Sequence, residues 1–254
     1  MGRTLLAFGV FCAAASAVYL FNDLHDREAD RNHPLKQNRP IASGALSPGI
    51  AAGIAVALGA AALAGAATLG RAFLLVLAGY LALSLLYSWR LKHVVILDVM
   101  VLAFGYVLRV EAGAAAARVE VSSWLLLCTI FVALFLAFAK RRHELVLLAE
   151  RAPDQRRVLS QYSAVFLDQM INVVTAGSVL SYALYAMAEE SVRKHGRGLV
   201  FTVPLVLFGV FRYLYLVYQQ PGHGNPTDEV LSDVPFLVNL ALWGGVVLWI
   251  LYVA

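Results

Sequence analysis

The stretch from residue 4 to residue 30 reads TLLAFGVFCAAASAVYLFNDLHDREAD. Its first part, Thr4–Phe21, carries no charged side chain and is long enough to cross a bilayer as a helix. Three aspartates, Asp23, Asp26 and Asp30, follow it at once. Because charge at the edge of a bilayer is costly, a cluster of this kind usually has a function.

The composition of the whole chain indicates a membrane protein. Of 254 residues, 61% are hydrophobic and 14% charged, whereas soluble domains average about 25% charged residues. We predict eight membrane-spanning helices at about Thr4–Phe21, Pro48–Leu69, Ala72–Ser88, Val94–Val110, Ser122–Ala139, Asp168–Ala188, Leu199–Val217 and Val234–Val253. The expected fold is all-α, a polytopic membrane helix bundle with loops capping its cytoplasmic end, in a single domain over residues 1–254.

The distribution of basic residues predicts the orientation. The loops after the first, third and fifth helices hold twelve Lys and Arg residues, against five after the second, fourth and sixth. The positive-inside rule then puts the richer loops in the cytoplasm. With eight helices and the loop after the first one in the cytoplasm, the chain would have to start on the outer side of the membrane. We therefore expect a further helix upstream of this segment. Nucleic acid is excluded as a partner, because the basic residues are spread over membrane-side loops.

The spacing of the three aspartates predicts a metal site. On one helix, residues three and four apart project from the same face. Carboxylates bind Mg²⁺, which takes its other ligands from water and substrate phosphates. The histidines do not show the spacing of two histidines with a carboxylate that is typical of a zinc site. The cluster therefore predicts magnesium-dependent phosphate chemistry beside the lipid bilayer.

Two motifs in the chain resemble those of the UbiA superfamily of intramembrane transferases. The first is Asn22-Asp23-x-x-Asp26-x-x-x-Asp30 with His33-Pro34-x-Lys36-x-x-Arg39-Pro40-Ile41-Ala42-Ser43-Gly44, and the second is Tyr87-Ser88-x-x-Leu91-Lys92. The resemblance implies a bundle of about nine helices, the first of which would lie upstream of this segment. It also implies Mg²⁺ and transfer of a group from a diphosphate donor.

Within the superfamily, the fifth loop favours one branch. Aromatic prenyltransferases carry a D-x-x-x-D motif there, whereas this chain has Ala139-Lys140-Arg141-Arg142-His143-Glu144-Leu145. Together with Arg212-Tyr213 and Asn225-Pro226-x-Asp228, this segment resembles the branch that transfers 5-phosphoribose from phosphoribosyl diphosphate (PRPP) to a polyprenyl phosphate. Such substrates bring three anionic groups, and fixed Arg and Lys side chains suit these better than further carboxylates.

The resemblance implies roles for individual residues. The catalytic set is Asp23, Asp26, Asp30 and Lys140, with the aspartates binding the metal beside Asn22. Phosphate contacts are expected from Lys36, Arg39, Lys92, Lys140 and Arg141. Glu144 would contact the metal, water or a ribose hydroxyl, and Tyr162 would reach the pocket. Arg142, Arg156 and Arg157 are interpreted as contacts with solvent or lipid headgroups.

Two other functions stay open at the level of sequence. One is a UbiA-type prenyltransferase that moves a prenyl chain from prenyl diphosphate to a quinone-type acceptor. The other is a transporter or lipid-binding protein. Transporters place charges near the middle of the bilayer, and here the charges cluster at one surface, so this function is disfavoured.

Overall fold

The computed structural model describes residues 2–32, 36–149, 158–219 and 230–252. Within these ranges the helices are α1 Gly2–His25, α2 Arg27–Arg31, α3 Pro48–Leu69, α4 Arg71–Trp89, α5 Leu97–Ala117, α6 Ser123–Ala149, α7 Ala164–Met187, α8 Glu189–His195, α9 Val203–Gln219 and α10 Val234–Tyr252. Eight helical segments are long and apolar enough to span a membrane. The predicted all-α class and number of spans are therefore confirmed.

The described residues form two compact units, the first of residues 2–32, 36–122 and 158–161, and the second of residues 123–149, 162–219 and 230–252. The first holds α1 to α5, and the second holds α6 to α10. The single domain over residues 1–254 stays a prediction.

Local signals explain where several helices begin and end. The Ser47 side chain accepts a hydrogen bond from the Ile50 amide at the start of α3, and Pro48 occupies the first turn, where its missing N–H costs nothing. Gly70, with φ of 109°, joins α3 directly to α4. Only glycine adopts that backbone conformation without strain. The hydroxyl of Ser163 caps α7 in the same way as Ser47 caps α3.

Small residues let the helices of the first unit approach closely. The buried core joins Ala14 of α1 to Ala62 and Ala66 of α3. A methyl group added at Gly65 would lie 2.7 Å from Cγ2 of Val10, which is closer than real contacts allow. Close packing of small residues is how membrane helices associate in the absence of a hydrophobic driving force between them.

In the second unit, α6 packs on α7 and α9 packs on α10. A methyl group at Gly177 of α7 would lie 2.5 Å from the ring of Phe131 on α6. Arg212 of α9 makes two hydrogen bonds to Asp233, of 3.0 Å from Nε and 2.7 Å from Nη2. The Asp233 carboxylate also caps α10 by accepting from the Phe236 amide at 2.8 Å.

One predicted boundary is wrong in a way that affects the site. We expected a fifth loop to open at Lys140, but α6 continues through Lys140 and Glu144 to Ala149. Lys, Arg, Glu and Leu are good helix formers, and Arg141 pairs with Glu144 one turn later at 2.7 Å. The basic segment is therefore presented on a helix.

Candidate active site

The carboxylate cluster lies where α1 ends. Asn22 and Asp23 belong to the last turns of α1, Asp26 lies between α1 and α2, and Asp30 is on α2. The prediction of one continuous helical face is therefore wrong, because the helix is interrupted at Asp26. Main-chain hydrogen bonds from the Asp26 amide to Asn22 and from the Asp30 amide to Asp26, of 2.9 and 2.8 Å, still lead the chain through the break with helix-like spacing.

Arg39 connects two of the three aspartates. Its Nη1 atom donates to Oδ1 of Asp23 at 2.6 Å and to Oδ2 of Asp30 at 3.0 Å. The Asp30 side chain is only 6% exposed. Lys36 lies near enough to Asp23 to interact with it electrostatically. Two poorly solvated carboxylates that point at one place repel each other, and the shared guanidinium offsets that repulsion.

Lys92 is the partner of the third aspartate. Its side chain is 3% exposed, lies on the 3₁₀ turn Leu91–His93, and donates a hydrogen bond to Oδ1 of Asp26. Nearby, the Ser88 hydroxyl donates to the Asn22 side-chain oxygen at 3.2 Å. The two sequence motifs therefore meet in space. Ser88 is part of the second motif, and sequence reasoning gave it no role.

The donor set around Arg39 fits a magnesium ion. Among the described residues, no three His, Cys, Asp or Glu side chains gather closely enough to hold an ion alone. Mg²⁺, however, is commonly held by one or two carboxylates, with water and substrate phosphates completing the shell. Asp23 and Asp30 already converge on one cationic nitrogen. They are therefore the pair that fits Mg²⁺, whereas Asp26 faces Lys92 and its predicted metal role stays a prediction.

The other predicted site residues lie in the second unit. Arg141 is 2% exposed and its Nη1 atom donates to Oε2 of Glu144 at 2.7 Å. Lys140 is exposed beside it. Tyr162 is buried and stacks on Phe166 with ring centroids 5.9 Å apart. The buried Arg141–Glu144 pair gives this unit an oriented guanidinium at the end of a membrane helix.

Sequence reasoning missed a network next to that pair. The Nε atom of Arg142 donates to Asp168 at 2.5 Å, and the guanidinium lies 4.2 Å from the ring centroid of Tyr218. The Tyr218 hydroxyl donates to the same carboxylate oxygen at 3.0 Å. The interpretation of Arg142 as a solvent or headgroup contact is therefore wrong. An aspartate in the first turns of an apolar helix was the available signal.

Some predicted positions fall outside the described residues. These are His33, Pro34, Arg156, Arg157 and the segment 225–228.

The helices and the paired charges define a polytopic membrane protein with a carboxylate–cation cluster at one end of its helices. The model of the UbiA prenyltransferase family matches residues 2–227. The chain belongs to this family, and the resemblance drawn from its two motifs is confirmed.

Two relatives align with nearly the whole chain. A protein of Corynebacterium glutamicum, named decaprenyl-phosphate phosphoribosyltransferase, is 37% identical over 98% of this chain and 75% of its own length. A protein of Mycobacterium tuberculosis with the same name is 36% identical over 92% of this chain and 76% of its own length. Among solved structures, a UbiA homolog from Archaeoglobus fulgidus bound to GPP and Mg²⁺ has a TM-score of 0.74 and 20% identity. It covers all of this chain and 89% of its own, and it shows a shared fold.

Proposed function

We propose that this protein transfers 5-phosphoribose from PRPP to a polyprenyl phosphate and releases diphosphate. The observation that carries the proposal is the bridge from Arg39 to Asp23 and Asp30, whose two carboxylates would hold a cation and whose guanidinium would bind a phosphate group. The names of the relatives, at 36–37% identity over most of the chain, support this donor and acceptor. Release of the product as a lipid-linked sugar phosphate for envelope synthesis belongs to the same proposal.

The charge balance of the cluster supports a metal-dependent reaction. Asp23, Asp26 and Asp30 face the cations Lys36, Arg39 and Lys92, so the group is close to neutral. PRPP brings a diphosphate and a separate phosphate into this neutral group. Binding such an anion requires further positive charge, and a divalent cation held by Asp23 and Asp30 would supply it. When bound, Mg²⁺ would neutralise the charge that develops on the leaving diphosphate.

The chain's own residues would position the substrates. Arg39 and Lys92 would exchange their carboxylate partners for phosphate oxygens of PRPP, which suit guanidinium and ammonium donors. An oxygen of the lipid phosphate then bonds to C1 of the ribose. The C1–O bond to the diphosphate breaks, and its electron pair leaves with the diphosphate. Because the attacking phosphate is already ionised, positioning and electrostatic stabilisation replace a strong base. Lys140 and Arg141 are the proposed phosphate contacts of the second unit.

The proposed location is the cytoplasmic membrane of a bacterial-type cell, with the cluster facing the cytoplasm. The eight apolar helices make the chain an integral membrane protein, and the twelve-to-five distribution of basic residues supports this orientation. Labelling of single cysteines placed at Arg90 and at Arg118 by a membrane-impermeant maleimide would test it. Intact cells should label only the second, and labelling of the first would reverse the orientation.

The test of the activity uses membranes that contain the protein, Mg²⁺, radiolabelled PRPP and a polyprenyl phosphate. Label should enter the organic phase with the wild type and be lost with Asp23→Asn. The matched control is Glu190→Gln, the same change at a carboxylate that is 72% exposed on α8, and it should retain full activity. Full activity of Asp23→Asn would refute the metal and phosphate assignment.

The alternative function has its own arm in the same assay. Labelled prenyl diphosphate and a quinone-type acceptor replace PRPP and the polyprenyl phosphate. Transfer of the prenyl chain, without transfer from PRPP, would replace the proposed reaction by the prenyltransferase reaction for which the family is named.

A further inference from the structure

An arginine lies near the middle of a membrane-spanning helix of the first unit. Arg109 is the thirteenth of the 21 residues of α5, and its side chain is half-buried. A charged side chain at this depth is costly, so it pairs with an opposite charge or faces water, and it usually marks the path of a substrate or an ion. Arg109 is not one of the cations that pair with the aspartate cluster, so its charge needs another explanation.

The partners of Arg109 are tyrosines. Its Nη2 atom donates to the Tyr80 hydroxyl at 3.1 Å, and its guanidinium lies 5.5 and 4.8 Å from the ring centroids of Tyr80 and Tyr106. Tyr19 of α1 interacts with it electrostatically. No carboxylate in the described part of the chain pairs with Arg109, not even Glu111 two positions further along α5. The tyrosines therefore orient the guanidinium without neutralising it.

Most hydrogen-bond donors of this guanidinium remain for another acceptor. An arginine has five N–H groups, and the hydrogen bond to Tyr80 uses one of them. Tyr80 is 4% exposed and closes one side, whereas Tyr106 is 45% and Tyr19 64% exposed, so access is from the side of these two rings. An oriented guanidinium with free N–H groups suits a phosphate group, which it can bind through two parallel hydrogen bonds.

Arg109 lies below the aspartate cluster, on helices that also carry the cluster. Tyr19 precedes Asp23 by four positions on α1, so the two residues share a face and lie about 6 Å apart along the axis. The helix α5 begins five residues after Lys92. Because side chains on a helix lean back toward its N-terminus, Arg109 points toward the end of α5 at which the cluster lies. A substrate bound at Asp23 can therefore extend along α1 toward Arg109.

Resting on the proposed function, we infer that Arg109 binds the 5-phosphate of PRPP while the diphosphate lies at Asp23 and Arg39. The ribose ring joins these two anionic groups, so the second must lie close to the first but apart from it. The phosphate of the polyprenyl phosphate has the same chemistry, but it is not tied to the diphosphate in this way. A prenyl diphosphate has no second anionic group for Arg109. This arginine therefore selects a phosphorylated sugar as donor.

Two labelled donors test the inference in membranes with Mg²⁺ and polyprenyl phosphate. One is PRPP, and the other is ribosyl 1-diphosphate, which lacks the 5-phosphate. Arg109→Gln should lower kcat/KM for PRPP about thirtyfold or more, as expected when a charged partner is lost. It should leave kcat/KM for ribosyl 1-diphosphate unchanged, and Arg109→Lys, which keeps the charge, should retain more of the preference for PRPP. The matched control Arg71→Gln, at an exposed position where α4 begins, should change neither value.

A second variant preserves the packing of the helices. Tyr80→Phe removes the hydroxyl that orients Arg109 and keeps the ring, which packs against Phe11 with centroids 4.7 Å apart. We expect the KM for PRPP to rise about fivefold, the effect of one lost hydrogen bond. The KM for polyprenyl phosphate should not change. Circular dichroism checks that every variant is folded.

The outcomes separate this inference from the proposed function. An equal loss with both donors would show that Arg109 only supports the fold, and a higher KM for polyprenyl phosphate alone would assign Arg109 to the acceptor. Either result overturns the inference and leaves transfer from PRPP standing.

A wild type that transfers nothing from PRPP refutes the reaction, and equilibrium binding of labelled PRPP then decides about Arg109. Binding that Arg109→Gln weakens and Arg71→Gln does not would support the phosphate site. Binding that both variants leave unchanged, or no binding at all, would refute the site as well.

Discussion

Removal of the buried Lys92 ammonium tests how the cluster is held together. The Lys92 side chain is 3% exposed, and its partner Asp26 is 17% exposed. In Lys92→Met the carboxylate keeps its place and loses its cation. Breaking a buried pair from one side costs about 3–5 kcal/mol, because the remaining charge is uncompensated. Since Asp26 keeps some access to solvent, we expect about 3 kcal/mol.

That loss corresponds to about two powers of ten in the unfolding equilibrium. Replacing a buried ion pair by apolar side chains of similar size is often neutral or stabilising. The double variant Lys92→Met with Asp26→Leu should therefore recover most of the stability of the wild type. It should not recover transfer activity, because both side chains belong to the proposed phosphate site.

Unfolding by sodium dodecyl sulfate in mixed micelles, followed by circular dichroism, measures these differences. The control is Lys194→Met, at a side chain that is 63% exposed and paired with Glu190 on α8. An exposed pair of this kind contributes little, so the control should unfold like the wild type. A single variant as stable as the wild type, or a double variant no better than the single, would refute the reasoning.

Three further predictions concern other parts of the molecule. In the absence of PRPP, Arg39→Gln should bind Mn²⁺ more tightly than the wild type, because the guanidinium and a metal compete for the same two carboxylates. A titration followed by electron paramagnetic resonance would measure the affinity, and unchanged or weaker binding would contradict the prediction. The hydrogen bonds from Arg212 hold the pKa of Asp233 below its usual range, so this carboxylate stabilises the fold above about pH 3.9, the unfolded value. Asp233→Asn should be less stable than the wild type at pH 7, and this difference in stability should shrink as the pH falls through the lowered pKa. Melting curves at several pH values would measure the difference, and a difference that does not change with pH would contradict the prediction. Gly177→Ala should cost about 1–3 kcal/mol by overpacking against Phe131, and an unchanged unfolding midpoint would show that the ring moves freely.

Some features could be predicted without coordinates because they depend on local composition. Apolar runs of sufficient length must form helices in a bilayer, where each backbone polar group has to bond within its own segment. The span Pro48–Leu69 was placed from its apolar run, and its observed ends agree because the run stops at Ser47 and Gly70, where the helix begins and ends. The cluster Asp23, Asp26 and Asp30 was found for a similar reason, as charge is conspicuous in such a chain.

Other features depend on residues far apart in the chain. Arg39 bridges two aspartates, Lys92 pairs with the third across 66 positions, and Asp168 meets Arg142 across 26. No spacing rule reveals these partners.

The sequence by itself determined the class of the protein, its membrane spans and the acidic motif, because hydrophobicity and local backbone preferences act over a few residues. Only the tertiary structure decided which cation neutralises which carboxylate, since burial lets a charge persist only beside a partner of opposite sign. It also decided that the basic segment after Ala139 is helical, and that Arg109 meets tyrosines of other helices. Such contacts arise from how three helices pack, and packing depends on side-chain shapes that meet only in the fold.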